Sequence, residues 1–391
     1  MTFDMGAKIL GDLVEQITTN LVGTGVWHNV DTTWNTLDKT ANNARHIMVY
    51  GAVGAPGKGN TALSADAIVG ATTINIISEI DFAIGDNVKI GSGMTSEIRK
   101  VTAVAANQLT LDTGISTAHS TGETVMEIDI EIYLSLEAIN TSTNYYWVGW
   151  PTNNWWYGKG IRAVFCSDWN GATHTFAGNI QSTFIPFETC QYCGVGSDLA
   201  TLQLSYYIWT ENNGNGFVFM GKPSPTGVPQ EQSFIIVVER LISKEYIDGF
   251  SNFYLYSVCN IWSEVYNSNQ STMWRWRSLL RPFAYQWPDG SVETSASPNG
   301  NGISFPPLPS YVGYKSIGNG KVYYIKPIIN NQANQLAPIS QSELFFMWNE
   351  NLGLIDGDVV ALQGQPIKYL CKALDSPDSI SRLTYAIKYL G

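Results

Sequence analysis

Ala71-Thr-Thr-Ile-Asn-Ile76, Asp81-Phe-Ala-Ile-Gly-Asp-Asn-Val-Lys-Ile-Gly91, Glu97-Ile-Arg-Lys-Val-Thr-Ala-Val104 and Gln108-Leu-Thr-Leu-Asp112 follow one another within residues 71–125. Each piece alternates or clusters β-formers, and Gly, Asp and Asn separate the pieces. Such text describes a small module of short strands with no obvious chemistry in it. Upstream, Arg45-His-Ile-Met-Val-Tyr50 reads as a strand, and the glycine-rich Gly51-Ala-Val-Gly-Ala-Pro-Gly-Lys-Gly59 reads as a flexible hinge. Downstream, Ile128, Ile130, Ile132, Leu134 and Leu136 alternate with Glu127, Asp129, Glu131, Tyr133 and Ser135, the period of a strand with two unlike faces. The two flanking strands read as neighbours in one sheet. Residues 52–126 are therefore expected as a module inserted into a main body of residues 1–51 and 127–391.

Further upstream, Met5, Ile9, Leu13 and Ile17 recur every four residues, joined by Leu10, Val14 and Leu21. This spacing predicts one amphipathic helix over about residues 4–22, ended by Gly23 and Gly25. Trp27 to Asn43 is polar and turn-rich. From Asn144 onward the text is irregular and aromatic, with short strands expected at 160–166, 202–210, 216–220, 233–239, 253–259, 320–326 and 344–348. A turn and strand at 356–362 and strands at 368–371 and 381–389 complete the pattern. The expected class is α+β and mainly β: an N-terminal amphipathic helix on a mixed sheet, with an inserted small β module and aromatic-rich loops.

At 391 residues the chain can bury a large core. Charged residues make up 14%, below the roughly 25% of ordinary soluble domains, while aromatics reach 12%. That balance favours a subunit that hides amphipathic surface between copies, because interfaces gather Tyr, Trp and Phe and shed Lys and Glu. A net charge of −11 argues against a general nucleic-acid binder, which needs Lys and Arg to displace counterions. It also weakens attraction to an anionic membrane surface. Five cysteines (Cys166, Cys190, Cys193, Cys259 and Cys371) are too scattered for a disulfide scaffold. The N-terminus shows no basic segment followed by an apolar core, and no apolar run approaches the roughly 20 residues that span a bilayer. Synthesis in a reducing cytoplasm is the expectation, with no cofactor, no membrane insertion and no sequence-specific nucleic acid as partner.

Candidate chemistry is thin. Gly57-Lys58 lacks the hydroxyl residue and the helix of a phosphate-binding loop, because Gly59 stands where Ser or Thr is needed. Cys190-Gln-Tyr-Cys193 is a lone C-x-x-C; a structural zinc would need two more ligands, which Cys166 and His174 would supply if the fold brought them close, and two free thiols are the default reading. Glu127, Asp129 and Glu131 share one strand face and present the donors a hard cation takes, although a solvated sheet face is the commoner explanation. His28, His46, His119 and His174 lie in no catalytic signature. Carboxylate pairs that cleave glycosides leave no signature in sequence, and nothing here selects a pair.

The aromatic clusters carry more weight. Tyr145-Tyr-Trp-Val-Gly-Trp150 and Trp155-Trp-Tyr157 lie in Asn- and Gly-rich text, and Met273-Trp-Arg-Trp-Arg277 alternates indoles with guanidinia. Trp147, Trp150, Trp155, Trp156, Trp274 and Trp276 are the interface candidates, since Trp, Tyr and Arg dominate protein–protein hot spots. Ordinary core packing is one competing reading of these aromatics, and stacking on sugar rings is the other.

The 71–125 module resembles β modules that recur in structural proteins of tailed bacteriophages and in bacterial surface proteins. Ile132-Tyr-Leu-Ser-Leu-Glu-Ala-Ile-Asn140 followed by Tyr145-Tyr-Trp, Gln181-Ser-Thr-Phe-Ile-Pro-Phe187 and Ile317-Gly-Asn-Gly-Lys-Val-Tyr-Tyr324 are similar to text in tailed-phage or prophage virion proteins. Gln341-Ser-Glu-Leu-Phe-Phe346 and Asp356-Gly-Asp-Val-Val360 have the same character. The resemblance implies a non-enzymatic structural subunit of a tail, baseplate or neck ring, assembled in the host cytoplasm. Its partners would be copies of itself in a symmetric homo-oligomer and other virion proteins. The resemblance brings no catalytic motif. The alternatives from other classes are a receptor- or glycan-binding virion protein and an envelope-degrading enzyme.

Overall fold

The computed structural model describes residues 2–32, 34–35, 43–144, 157–186, 203–223, 233–240 and 253–260, and shorter stretches between 303 and 389. The described residues are mainly β, in several antiparallel sheets, with one α-helix. The first strands are β1 (Thr2–Lys8), β2 (Trp27–Asn29), β3 (Asn43–Val53), β4 (Asn60–Ala62), β5 (Thr73–Asn75) and β6 (Asn87–Ile90), with helix α1 (Leu10–Val22) after β1. They are followed by β7 (Glu97–Ala105), β8 (Gln108–Leu111), β9 (Thr124–Asn144), β10 (Tyr157–Asn170) and β11 (Thr175–Pro186). Then come β12 (Leu204–Thr210), β13 (Gly216–Pro223), β14 (Ser233–Arg240) and β15 (Phe253–Asn260). The last are β16 (Ile303–Ser304), β17 (Ile328–Asn330), β18 (Pro338–Gln341), β19 (Phe345–Trp348), β20 (Val359–Ala361), β21 (Lys368–Leu374) and β22 (Leu383–Tyr389).

The chain divides into two compact units. One holds residues 1–10, 140–161 and 183–391, the other 11–139 and 162–182. In the first, β1-β12-β13-β14-β15 form a five-stranded sheet, β16-β17-β18 a second and β19-β22-β21-β20 a third. Lys388 of β22 lies 3.3 Å from Glu211 and 5.4 Å over the ring of Trp209. The expected strand at 320–326 lies outside the described residues.

Helix α1 has the apolar stripe its sequence dictates: Leu10, Leu13, Val14, Ile17 and Leu21 are all buried. Thr24 Oγ donates to the Leu21 carbonyl at 2.6 Å, and Gly25 turns the chain away at φ 79°. The helix is shorter than its spacing predicts, because residues 2–8 are a strand. β1 pairs antiparallel with β12, Thr2 opposite Thr210 and Lys8 opposite Leu204. Met5 is 64% exposed, so its four-residue spacing from the helix stripe is coincidence. Gly6 inside a helix would cost about 1 kcal/mol relative to Ala, and the ladder to a partner some two hundred residues away is invisible to local periodicity.

The second unit is built on β9. β3 pairs with it antiparallel from Asn43↔Ile139 to Val53↔Ile128, the neighbour relation the flanking strands predict. The register shifts where Tyr50 faces Ile132 but Gly51 faces Ile130, a bulge that bends the ladder. At Gly51 an added Cβ would run into the Asp129 carbonyl oxygen. The segment 51–59 is also no loose hinge: β3 continues to Val53, Gly54 N donates to Glu127 O, and Glu127 N donates to Gly59 O. Glu127 is itself buried, its carboxylate 2.7 Å from Lys58 Nζ, so that face of β9 is not uniformly solvated.

Residues 60–126 close into a small barrel. β6 pairs with β9, β7 with β6, β8 with β7 and β5 with β8. Beyond β5 the chain bridges back, Ile76 to Leu63 and Ile77 N to the Ala62 carbonyl, while β4 pairs with β9 at Asn60↔Met126. The circuit leaves no open edge, and edges are where sheets invite unwanted pairing. Inside, Ile74, Ile76, Phe82, Val88, Ile90, Val101, Leu109 and Val125 form one core.

Gly51→Ala tests the bulge. Overpacking against a backbone carbonyl predicts a loss of about 1–3 kcal/mol, read as a lowered urea midpoint; an unchanged midpoint would show that β3 can shift away from Asp129.

Candidate interaction surface

Glu97, at the start of β7, is fully buried. Its Oε2 accepts from Ser116 N and Ser116 Oγ, both at 2.7 Å, and from Arg99 Nη2. Its Oε1 accepts from Thr117 N at 3.1 Å and His119 Nε2 at 2.8 Å. The other His119 nitrogen, Nδ1, lies 2.8 Å from Glu123 Oε2. Both ring nitrogens face carboxylates, so both must donate and the ring is imidazolium. Burial pulls His119 toward its neutral form, but the bonds to Glu97 and Glu123 outweigh it and hold its pKa above 6.5. Burial likewise opposes the Glu97 charge, and His119, Arg99 and Ser116 hold its pKa below the usual carboxylate value.

This cluster also ties the barrel to the strand before it. Arg99 Nη1 donates to the carbonyls of Ile98 and Val30, and Ile98 N donates to Val30 O. Thr32 Oγ donates to Ser116 Oγ at 2.9 Å. The polar groups are therefore consumed in holding the barrel's shape.

A second buried carboxylate, Asp31, is met by Trp34 N at 3.0 Å, Trp169 Nε1 at 3.4 Å and His174 Nδ1 at 2.6 Å. Trp34 and Trp169 stack edge to face at 5.1 Å, and the Arg45 guanidinium covers Trp34 at 4.3 Å. His174, considered for a zinc site from sequence, is oriented by Asp31. Cys166 lies in the apolar cluster with Trp34 and Trp169, and burial pushes its thiol up to about 12. Cys190 and Cys193 lie outside the described residues. In the acidic face of β9, Lys58 takes the place a cation would hold, 2.7 Å from Glu127 and 3.1 Å from Asp129. Among the described residues no group of three or more His, Cys, Asp and Glu is arranged to hold a metal ion.

The barrel presents a different feature on its surface. The loop from β5 to β6 exposes Ile77 at 63%, Ile80 at 71% and Ile84 at 71%. Full burial of such side chains is worth about 1.5–3 kcal/mol each, so leaving three in water forgoes a sizeable gain. The loop is nonetheless fixed. Ile77 N donates to Ala62 O, Ser78 N to Thr61 Oγ, Asn107 N to Glu79 Oε2, Ala83 N to Asp86 Oδ2 and Gly85 N to Val101 O. Phe82 is its buried plug, its ring filling the space a Cβ at Gly59 would need. Ile68 and Val69, at 72% and 62%, are exposed in a separate loop that bonds to the chain at Ile115 and His119.

Rigid presentation of branched aliphatics lowers the ordering cost of docking, and isolated exposed residues would need no such account. Hydrophobic periodicity alone does not single out this loop. Its signal was the text Ile76-Ile-Ser-Glu-Ile-Asp-Phe-Ala-Ile84, a connection between strands crowded with Ile where Gly, Asn or Pro is usual. Trp147, Trp150, Trp155, Trp156, Trp274 and Trp276 all lie outside the described residues. No family model matches the chain, and no curated protein matches it. No helix among the described residues is long and apolar enough to cross a membrane.

His119→Gln isolates the proton linkage. A group whose pKa is raised on folding adds stability that is complete below its unfolded value of 6.5 and is lost as pH rises through the folded pKa. The stability gap between wild type and His119→Gln should be widest at pH 6 and narrow in alkali. A gap that is flat with pH would show that His119 is not held as imidazolium.

Proposed function

We propose that this chain is a non-enzymatic structural subunit of a tailed-phage virion, building a tail, baseplate or neck ring through contacts with copies of itself and with other virion proteins. The observation that carries the reading is the rigid apolar loop 77–84 on a barrel whose buried charges serve its own architecture. A surface of that kind is suited to docking. Low charge content and abundant aromatics support the same reading, since subunit interfaces concentrate such residues. The textual resemblance to virion proteins supplies the particle. In a ring, each copy joins the next through two different faces, and the rotation closes the set.

The mass of the purified full chain in solution, measured by light scattering over a concentration series, tests this reading. A discrete closed oligomer is the expected result. A monomer at every concentration would remove self-assembly as the basis of the function.

A further inference from the structure

The loop that exposes Ile77, Ile80 and Ile84 is also acidic. Glu79 and Asp81 lie within it and Asp86 follows directly. Residues 60–87 hold these three acids and Asp66, and no Lys, Arg or His. The carboxylates have fixed local roles: Glu79 accepts from Asn107 N, Asp86 from Ala83 N and Asp66 from Thr121. Glu79 and Asp66 titrate below the usual carboxylate range because of those backbone bonds, which keeps them charged. The loop therefore asks for a partner that is both apolar and basic. A second copy of the same patch is unsuited, since like charges would face one another. An anionic lipid surface is unsuited for the same reason.

The chain itself contains a segment of the complementary chemistry. Met273-Trp-Arg-Trp-Arg-Ser-Leu-Leu-Arg281 combines two Trp, two Leu and three Arg, and residues 265–288 contain no Asp or Glu. In a chain of net charge −11 this is a pronounced reversal of sign. Trp and Arg are also the residues that most often anchor protein interfaces.

We infer that the Ile77–Ile84 loop of one copy docks the Trp274–Arg281 segment of a second copy, with Ile80 meeting the indoles and Glu79 and Asp81 meeting the guanidinia. The inference rests on the self-assembling reading proposed above and names the two faces of its joint. Two unlike faces make a heterologous contact, the kind that propagates around a ring. Pairing charges at the rim fixes register and partner choice, while the aliphatic and aromatic centre supplies most of the affinity.

Full-length variants in the same light-scattering series test it. Ile80→Glu should raise the concentration at half-assembly at least about tenfold. Asp81→Arg and Arg277→Glu should each weaken assembly, and the double variant Asp81→Arg/Arg277→Glu should recover to within about threefold of wild type. Circular dichroism melting guards against misfolding; Ile77→Glu, on a neighbouring exposed position, replaces Ile80→Glu if that variant melts early. An oligomer indifferent to Ile80→Glu, Ile77→Glu and Asp81→Arg overturns the inference and leaves the self-assembling reading standing. Weakening by the single charge reversals without recovery in the double variant overturns the choice of Arg277's segment as occupant. A wild-type chain that stays monomeric overturns both.

Discussion

Glu97 holds a full negative charge out of contact with water, and a buried carboxylate left alone would cost several kcal/mol. Five donors from Arg99, Ser116, Thr117 and His119 offset that cost. They arrive from β7 and from the loop that leads back to β9, so satisfying one carboxylate fixes the path of the chain between β8 and β9. Arg99 reaches Val30 from the same cluster, which brings the segment after β2 against the barrel wall. Replacing such a network wholesale with apolar residues can be neutral, whereas removing one member leaves charges uncompensated. The network therefore specifies one arrangement of the barrel more than it adds net stability.

That arrangement decides which surfaces are left for partners. The circuit from β9 through β6, β7, β8, β5 and β4 uses up the strand edges, so strand addition has no template on the barrel. What remains outward is loops. The β5–β6 loop is held at Ala62, Thr61, Asn107 and Val101 and still turns three Ile to solvent. Fixed backbone and exposed aliphatic side chains together suit the docking role proposed for this loop. In the proposed joint, charge narrows the choice of partner, because the acids in the loop that accept backbone bonds also make it negative.

Much of the fold is legible where its cause is local. Leu10, Leu13, Val14, Ile17 and Leu21 predict α1, and the alternation from Ile128 to Leu136 predicts β9 and its neighbour β3. What was not legible depends on distant partners. Thr2–Lys8 carries no strand signal of its own and becomes a strand because β12 offers it a ladder. Gly51–Gly59 has the composition of a hinge, yet Gly51 and Gly59 are small because Asp129 and Phe82 crowd them. The candidate surface was missed for a related reason. Hydrophobic patterning assumes that Ile is buried, so three Ile in one connection read as more core until exposure is known. The roles of His119 and His174 were likewise hidden, since Glu97 and Asp31 stand beside them only after folding.

The claim that a compensated buried charge organises the barrel is tested most directly at the amides that donate to it. Native-state hydrogen exchange of Ser116 N and Thr117 N, in wild type and Glu97→Gln, reads those bonds individually. The account predicts that both amides exchange in wild type only with unfolding of the barrel core, at the rate of the Val101 amide, and much faster in the variant. Rapid exchange of Ser116 and Thr117 in wild type, with Val101 still protected, would contradict it.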